Sequence, residues 1–169
     1  AANVGGDFAS QLAALGTGAE TLQRIGRRYG AARLAAAARR IQDLSEAAMR
    51  AVIAASPDGQ YSFTDWVDDD GIDRDTQLKI RVQVTIAGDQ VSIDLDGSSP
   101  QATGPINCTL NMTRSAVICG VLMSIGRDVP ANAGCYRPIT IHAPAGSVVN
   151  AQYPAPVANR MATGHRIVN

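Results

Sequence analysis

The sequence has few of the residue types that mark specialised classes of protein. Only 4% of its 169 residues are aromatic, and it contains three cysteines and two histidines. An odd number of cysteines without a Cys-x-x-Cys pair argues against a disulfide framework and against a structural zinc site. The longest apolar run, residues 116–123, is too short to span a bilayer. These scarcities favour a globular protein of a reducing cytoplasm, and the bias toward arginine and alanine is typical of a GC-rich bacterial genome.

The chain also lacks an excess of charge of either sign. Lys+Arg 15 and Asp+Glu 15 give a formal net charge of zero, which removes the general electrostatic argument for nucleic acid or a membrane surface as a partner. The charges are unevenly spread, however. Residues 1–56 carry seven basic and four acidic groups, residues 57–100 three and ten, and residues 101–169 five and one. Such alternating blocks suit segments that pack on one another or on a partner.

Two helices are predicted in the first third of the chain. Apolar residues recur at helical spacing over residues 12–25, and Asp7 is the predicted N-cap of this first helix. The second helix is predicted over residues 31–55 and stops before Pro57, which cannot continue it. Because both helices have alanine-rich faces, we expect them to pack as a hairpin.

The middle of the chain changes to a period of two. Residues 78–86 and 91–95 alternate between apolar and polar side chains on either side of a short turn, which predicts an antiparallel hairpin over residues 78–96. A shorter strand is predicted over residues 60–67. Farther on, we expect a helix that opens at Asn107 or Thr109 and runs to about residue 125, then a strand over residues 138–142 and a final helix.

These elements predict an α+β fold. It consists of an N-terminal helical hairpin over residues 1–56 and an α+β part over residues 57–169. The second part holds an antiparallel sheet of three or more strands with a further helix packed on it. Both parts together are expected to form one fragment of a larger subunit.

Few residues carry an obvious reactive chemistry. The acidic run over residues 65–75 lacks the ligand spacing of a calcium loop and is interpreted as a solvated loop, with weak cation binding as the less favoured alternative. His142, His165 and the three cysteines have no spacing typical of a metal site or of a nucleophile pair. No glycine-rich phosphate loop is present. For Arg137 two interpretations stay open: it clamps a carboxylate or carbonyl group, or it ties loop carbonyls together.

Several short motifs, taken in their order along the chain, resemble the hydantoinase B/oxoprolinase family. They are Gly6-Asp7-Phe8-x-x-Gln11, Arg28-Tyr29-Gly30, Pro57-Asp58-Gly59-x-Tyr61, Asp94-x-Asp96-Gly97-Ser98-Ser99-Pro100-Gln101, Gly104-x-x-Asn107, Thr113-x-x-Ala116, Pro130-x-Asn132-x-Gly134-x-x-Arg137-Pro138, Pro144-x-Gly146-x-x-x-Asn150 and Pro154-Ala155-x-Val157. The resemblance runs nearly from end to end. Since members of this family are more than twice as long, it implies that the chain is a middle segment of a B-type subunit.

The resemblance implies an ATP-dependent hydrolase of cyclic amides such as hydantoins and 5-oxoproline. ATP would bind to an A-type partner subunit or domain, and the ligands of a divalent metal would lie in the remainder of the B-type subunit, so no catalytic or metal-binding residue maps onto this chain. The fragment alone is expected to be inactive. The alternatives are a subunit segment of an ATP-dependent ketone carboxylase and a non-catalytic interaction module.

The shared motifs supply seven candidates for facing a pocket or a subunit junction. These are Asp7, Gln11, Ser99, Gln101, Asn107, Asn132 and Arg137. The alternative is that they build loops, since Gly97, Gly104 and Gly134 are typical of positions with special backbone geometry.

Overall fold

A computed structural model describes residues 2–169, with side chains from residue 4 onward. In chain order the elements are α1 (Ala2–Tyr29), α2 (Ala31–Ala54), β1 (Gly59–Val67), β2 (Leu78–Ala87), β3 (Gln90–Asp94), α3 (Leu110–Ser124), β4 (Ile139–His142) and α4 (Arg160–Val168). The chain divides into two compact units, one that ends at Asp43 and one that spans Leu44–Asn169. The α+β class is therefore confirmed, and the last part of α2 belongs to the unit that contains the sheet.

The two N-terminal helices are confirmed, with two corrections. Over the described residues, α1 and the first part of α2 are almost entirely exposed and do not pack on each other as the predicted hairpin. The second correction concerns the start of α1. Asp7 is not the N-cap of α1, because the helix already begins at Ala2 and Asp7 lies within it. Gly5 and Gly6 weaken a helix without blocking it, and alanine favours one, so an acidic residue alone did not mark the boundary. Gly30 separates the two helices with a φ of 83°, a conformation that glycine adopts readily.

The sheet has the strand order β1-β2-β3-β4 and is mixed. β1 pairs with β2 and β2 with β3 in antiparallel fashion, which confirms the predicted hairpin over residues 78–96. The three antiparallel strands that were predicted are thus present, and β4 joins them as a fourth strand that pairs with β3 in parallel. A parallel neighbour requires a crossover, and the chain between β3 and β4 supplies one that contains α3.

One hydrophobic core fills the unit Leu44–Asn169. It contains Met49 and Ile53 of α2, which are fully buried, and the buried residues Ile80 of β2, Ile93 of β3 and Val117 of α3. Thr109 is the N-cap of α3, where its hydroxyl oxygen accepts a hydrogen bond from the backbone of Met112, as one of the two predicted starts requires. Among residues 2–169, no helix is both long enough and apolar enough to cross a membrane.

Candidate functional site

Three loops of the unit Leu44–Asn169 meet and are named here the loop junction: residues 68–75, 98–107 and 144–159. Hydrogen bonds join the second loop to each of the other two. Most of the motifs that carry the family resemblance in this unit lie in the second and third loops. The loop junction is therefore the candidate functional site.

The Asp70 carboxylate lies at the centre of the loop junction. Its Oδ1 accepts hydrogen bonds from the backbone amides of Ile72 and Asp73, at 2.8 and 2.7 Å. Its Oδ2 accepts from the Gly104 amide at 2.8 Å and from the Thr103 hydroxyl at 3.1 Å. The hydrogen bonds from Ile72, Asp73 and Gly104 favour the ionised form and lower the pKa of Asp70 to about 2. Asp70 is only 5% exposed, so one member of the acidic run is not solvated but holds two loops together.

Asn107 is fully buried and joins its own loop to the third loop. Its Oδ1 accepts from the Ala102 amide at 2.7 Å, and its Nδ2 donates to the carbonyl oxygens of Ala102, Gly104 and Pro156 at 2.9–3.0 Å. At Gly104 a Cβ atom would overlap the backbone carbonyl oxygen of Asp70, so the close approach of these loops requires glycine. The Asn107 side chain is thus committed to backbone groups of this chain.

Ser99 and Gln101 also bind backbone groups of neighbouring segments. Ser99 exchanges two hydrogen bonds with Lys79 of β2: its amide donates to the Lys79 carbonyl at 2.8 Å, and its hydroxyl accepts from the Lys79 amide at 2.9 Å. The Gln101 amide donates to the Gly146 carbonyl at 2.8 Å, and its side-chain oxygen accepts from the Gln152 amide at 2.8 Å. These contacts fix the second loop to the sheet and to the third loop.

Asn132 and Arg137 lie elsewhere, against the last part of α2. The Asn132 side-chain amide donates to the Ser45 hydroxyl at 2.7 Å, while its Oδ1 accepts from the Gly134 amide at 2.8 Å. Arg137 donates from Nη1 to Oε2 of Glu46 at 2.8 Å. This contact joins Arg137 to a carboxylate of the chain itself, and both interpretations of Arg137 stay predictions.

Glu46 extends this contact into a chain of alternating charges. Its other oxygen accepts from Arg50 at 2.8 Å, and Arg50 in turn lies 3.2 Å from a carboxylate oxygen of Asp89. The hydrogen bonds from Arg137 and then Arg50 lower the pKa of Glu46. Because all four side chains are at least partly open to solvent, the network contributes modestly to stability and chiefly orients the loop that carries Arg137.

Asp7 and Gln11 lie in the other unit, on α1. Both side chains are exposed. Gln11 borders an open depression along this helix, together with Leu15, Gly18 and Ala19. Whether any of the seven candidates faces a substrate pocket or a subunit junction stays a prediction.

One exposed pair of side chains was not predicted from the sequence. His142 Nδ1 lies 2.8 Å from Oδ1 of Asp94, and the two side chains are 65% and 42% exposed. The parallel register of β3 and β4 sets these residues opposite each other. His142 and then the backbone amide of Asp96 hydrogen bond to the Asp94 carboxylate and lower its pKa. The two residues are 48 positions apart in the sequence and are brought together by strand pairing, so no local sequence pattern predicts the contact.

The cysteines carry little reactive chemistry in this fold. All three are unpaired; Cys108 and Cys135 are buried, and Cys119 is exposed. Burial is the main cause that raises the pKa of Cys108 to about 11, so its thiol stays protonated and unreactive near neutral pH. Within residues 2–169, no group of three or more histidine, cysteine, aspartate or glutamate side chains could hold a metal ion.

The fold and its loops define the class of this protein segment. It is an α+β scaffold whose loops are fixed by buried polar groups, most of which bind the chain's own backbone. The model of the family described as Hydantoinase B/oxoprolinase matches residues 1–169, and the chain belongs to this family. The resemblance carried by the sequence motifs is thereby confirmed.

Relatives place the chain within this family more closely. It is 36% identical, over 97% of its length, to the putative B subunit of a D-/L-hydantoinase of Pseudomonas sp. (strain NS671), of which it covers 29%. The crystal structure of an ATP-dependent caprolactamase from Pseudomonas jessenii is similar, with a TM-score of 0.80 and 32% identity over 91% of this chain and 26% of that one. An acetone carboxylase structure, with a TM-score of 0.61 and 18% identity over 69% of this chain and 17% of that one, shares the fold. The chain therefore spans less than a third of the length of these relatives.

Proposed function

We propose that this chain is a segment of the B-type subunit of an ATP-dependent hydrolase that opens cyclic amides of the hydantoin or 5-oxoproline type. The observation that carries the proposal is the end-to-end match, at 36% identity, to a protein named as a putative hydantoinase B subunit. The likeness to a caprolactamase supports the cyclic amide as the substrate class. The 29% coverage of the hydantoinase relative supports an activity that resides in a longer assembly.

In this proposal ATP and a divalent metal ion serve the complete enzyme and bind outside this chain. The amide oxygen of the ring receives the terminal phosphoryl group of ATP, and water then opens the activated ring with release of phosphate and ADP. An A-type subunit or domain provides the ATP site, and the remainder of the B-type subunit provides the metal ligands. The three free cysteines and the bias toward arginine and alanine support a reducing bacterial cytoplasm as the compartment.

In this proposal the segment itself has a structural role: it holds the loops of the loop junction in fixed positions. The polar side chains at its loop junction, Asp70 and Asn107 above all, satisfy backbone groups of the chain. Side chains bound in this way are poor general acids or bases, because reacting would leave buried amides and carbonyls without partners. They keep the loop junction rigid, so that its surface can face the substrate pocket or the A-type partner.

The test uses the full-length polypeptide that contains this segment, purified with any ATP-binding protein that copurifies with it. ADP and ring-opened product are measured with hydantoin, 5-oxoproline and caprolactam, and in parallel with acetone and bicarbonate. We expect ADP to form in step with one of the ring-opened acids. The isolated 169-residue chain, incubated with ATP and Mg²⁺ under the same conditions, should form neither product.

Each other outcome contradicts the proposal in its own way. ADP formation that requires acetone and bicarbonate would assign the chain to a ketone carboxylase instead. Absence of ATP hydrolysis with every substrate, from a complex that stays intact, would favour the non-catalytic interaction module. Ring opening by the isolated chain would show that the segment carries catalytic groups.

A further inference from the structure

Helix α1 carries an apolar stripe with a strict seven-residue repeat. In heptad notation, its d positions are all large: Phe8, Leu15, Leu22 and Tyr29. Its a positions are mostly small: Gly5, Leu12, Ala19 and Gly26. All charged residues of α1 occupy the outer positions b, c and f, so the two positions that flank the stripe are uncharged. A repeat of 3.5 residues per turn is typical of a helix that packs along another helix.

The stripe is uncovered in the described part of the chain. The d side chains Phe8, Leu15, Leu22 and Tyr29 are 64%, 70%, 59% and 51% exposed, and Leu12 is 68% exposed. A contiguous row of large exposed apolar side chains on one helix face is typical of an interaction surface rather than of a free surface.

Two of the five glycines of α1, Gly5 and Gly26, lie on the stripe. A Cβ atom added at any of the five would meet nothing within 4 Å, so the fold of a single chain does not require glycine at these two positions. Glycine in a helix interior is destabilising relative to alanine. A position where glycine is costly and locally unnecessary fits a close approach by a second helix, since only glycine leaves room for a large side chain directly above the backbone.

We propose that α1 pairs with α1 of a second copy of this chain, in antiparallel orientation. In one register every large d residue meets an a residue of the partner: Phe8 over Gly26, Leu15 over Ala19, Leu22 over Leu12 and Tyr29 over Gly5. Each layer then joins a large side chain to a smaller or equal one. A parallel pair in register would instead place glycine against glycine and tyrosine against tyrosine. The glycine layers would then be underpacked and the tyrosine layer overpacked.

The charges of α1 favour the same orientation. Asp7 lies near its start, whereas Arg24, Arg27 and Arg28 lie near its end. Antiparallel pairing brings the arginines of one copy to the level of Asp7 of the other and opposes the two helix dipoles. Parallel pairing would set two clusters of arginine side by side. The two-fold symmetric arrangement closes on itself and so predicts a dimer.

The first test measures the molar mass of the 169-residue chain by sedimentation equilibrium over a range of concentrations. We expect a dimer of twice the 17.6 kDa chain mass. Phe8→Ala and Gly26→Leu should each raise the dissociation constant about tenfold or more. The first removes the large side chain that packs over Gly26 of the second copy, and the second fills the space into which that side chain fits. Gly6→Leu is the matched control for Gly26→Leu, because Gly6 lies at an outer b position, and it should leave the dissociation constant unchanged.

A second test fixes the orientation. In a Cys119→Ser background, the double variant Leu12→Cys with Leu22→Cys should form intermolecular disulfides under mild oxidation, while Leu12→Cys alone should not. A monomer at all concentrations, with the far-UV spectrum intact, would overturn the proposal and assign the stripe to another segment of a longer polypeptide. Cross-linking by Leu12→Cys alone would overturn the antiparallel register. The two tests measure association and cross-linking, not turnover, so their results are independent of the proposed activity.

Discussion

The Asp70 carboxylate joins two loops through the Gly104 amide, 34 residues farther along the chain. It is buried and yet ionised, because four hydrogen-bond donors replace the water that it loses. The carboxylate therefore stabilises the folded state only while it carries its charge. Since the groups that it binds are backbone amides and one hydroxyl, its effect is separable from that of the surface ion pairs.

Asp70→Asn should remove a distinct part of the acid sensitivity of this protein. The folded-state pKa of Asp70 is about 2, below its usual value of 3.8, so its contribution is present above pH 3.8 and is lost as the pH falls through 2. The stability advantage of the natural chain over Asp70→Asn should thus shrink as the pH falls from about 5 to about 2. Urea midpoints of both proteins across this range measure it, with Asp68→Asn as the control on an exposed neighbour. A constant difference between the two proteins over the whole range would contradict this role of Asp70.

Single residues were the hardest level to predict from the sequence. The motifs identified the family and pointed to the loop that holds Ser99, Gln101 and Asn107, because turn-rich polar stretches are recognisable locally. They did not reveal which donors and acceptors these side chains bind. Asp70 with Gly104, and Asp94 with His142, are contacts between distant segments, and only the folded chain brings them together.

Elements were predicted better, because periodicity is a local property. The prediction for α2 ended at residue 55 and the helix ends at Ala54, and the hairpin of β2 and β3 lies within the predicted 78–96. The direction of β4 was not predicted, for a physical reason: whether a strand runs parallel to its neighbour depends on the path of the crossover, not on its own residues. The start of α1 was wrong because a helix can extend past a favourable cap when nothing stops it.

Helices α3 and α4 pack closely on each other at Gly120 and Gly164, and a larger side chain there should destabilise the fold. A Cβ atom at Gly164 of α4 would overlap the methyl end of Met112 of α3, and one at Gly120 would lie 3.1 Å from the carbonyl oxygen of Val168. A leucine at Gly164 therefore needs more room than a rotation of Met112 can give. We expect Gly164→Leu to lower the free energy of unfolding by about 1–3 kcal/mol through overpacking.

The control for this variant is Ser115→Leu, which adds a leucine to an exposed position of α3 and should change the free energy of unfolding by less than about 0.5 kcal/mol. Urea unfolding followed by circular dichroism measures both. If Gly164→Leu were as stable as Ser115→Leu, the contact between α3 and α4 would be looser than the structure describes.

At the scale of the whole molecule, burial is concentrated in one of the two units. Every residue of the hydrophobic core and every residue packed against it lies between Ala48 and Ile167. The unit that ends at Asp43 has no fully buried side chain among its described residues. Hydrophobic burial is the main source of stability in a small domain, so cooperative unfolding should be a property of the unit Leu44–Asn169.

Removal of the first unit should therefore leave a folded domain. A chain of residues 44–169 keeps Ser45, Met49 and Ile53, through which α2 enters the core. We expect it to unfold in one cooperative transition, with a free energy of unfolding within about 1 kcal/mol of that of the full chain. A difference of this size is expected because the truncation removes surface ion pairs and shortens α2. A chain of residues 31–169, which retains all of α2, is the control and should match the full chain more closely. A gradual transition or exposed-core dye binding for residues 44–169, but not for residues 31–169, would mean that the first half of α2 is needed to hold Met49 and Ile53 in place.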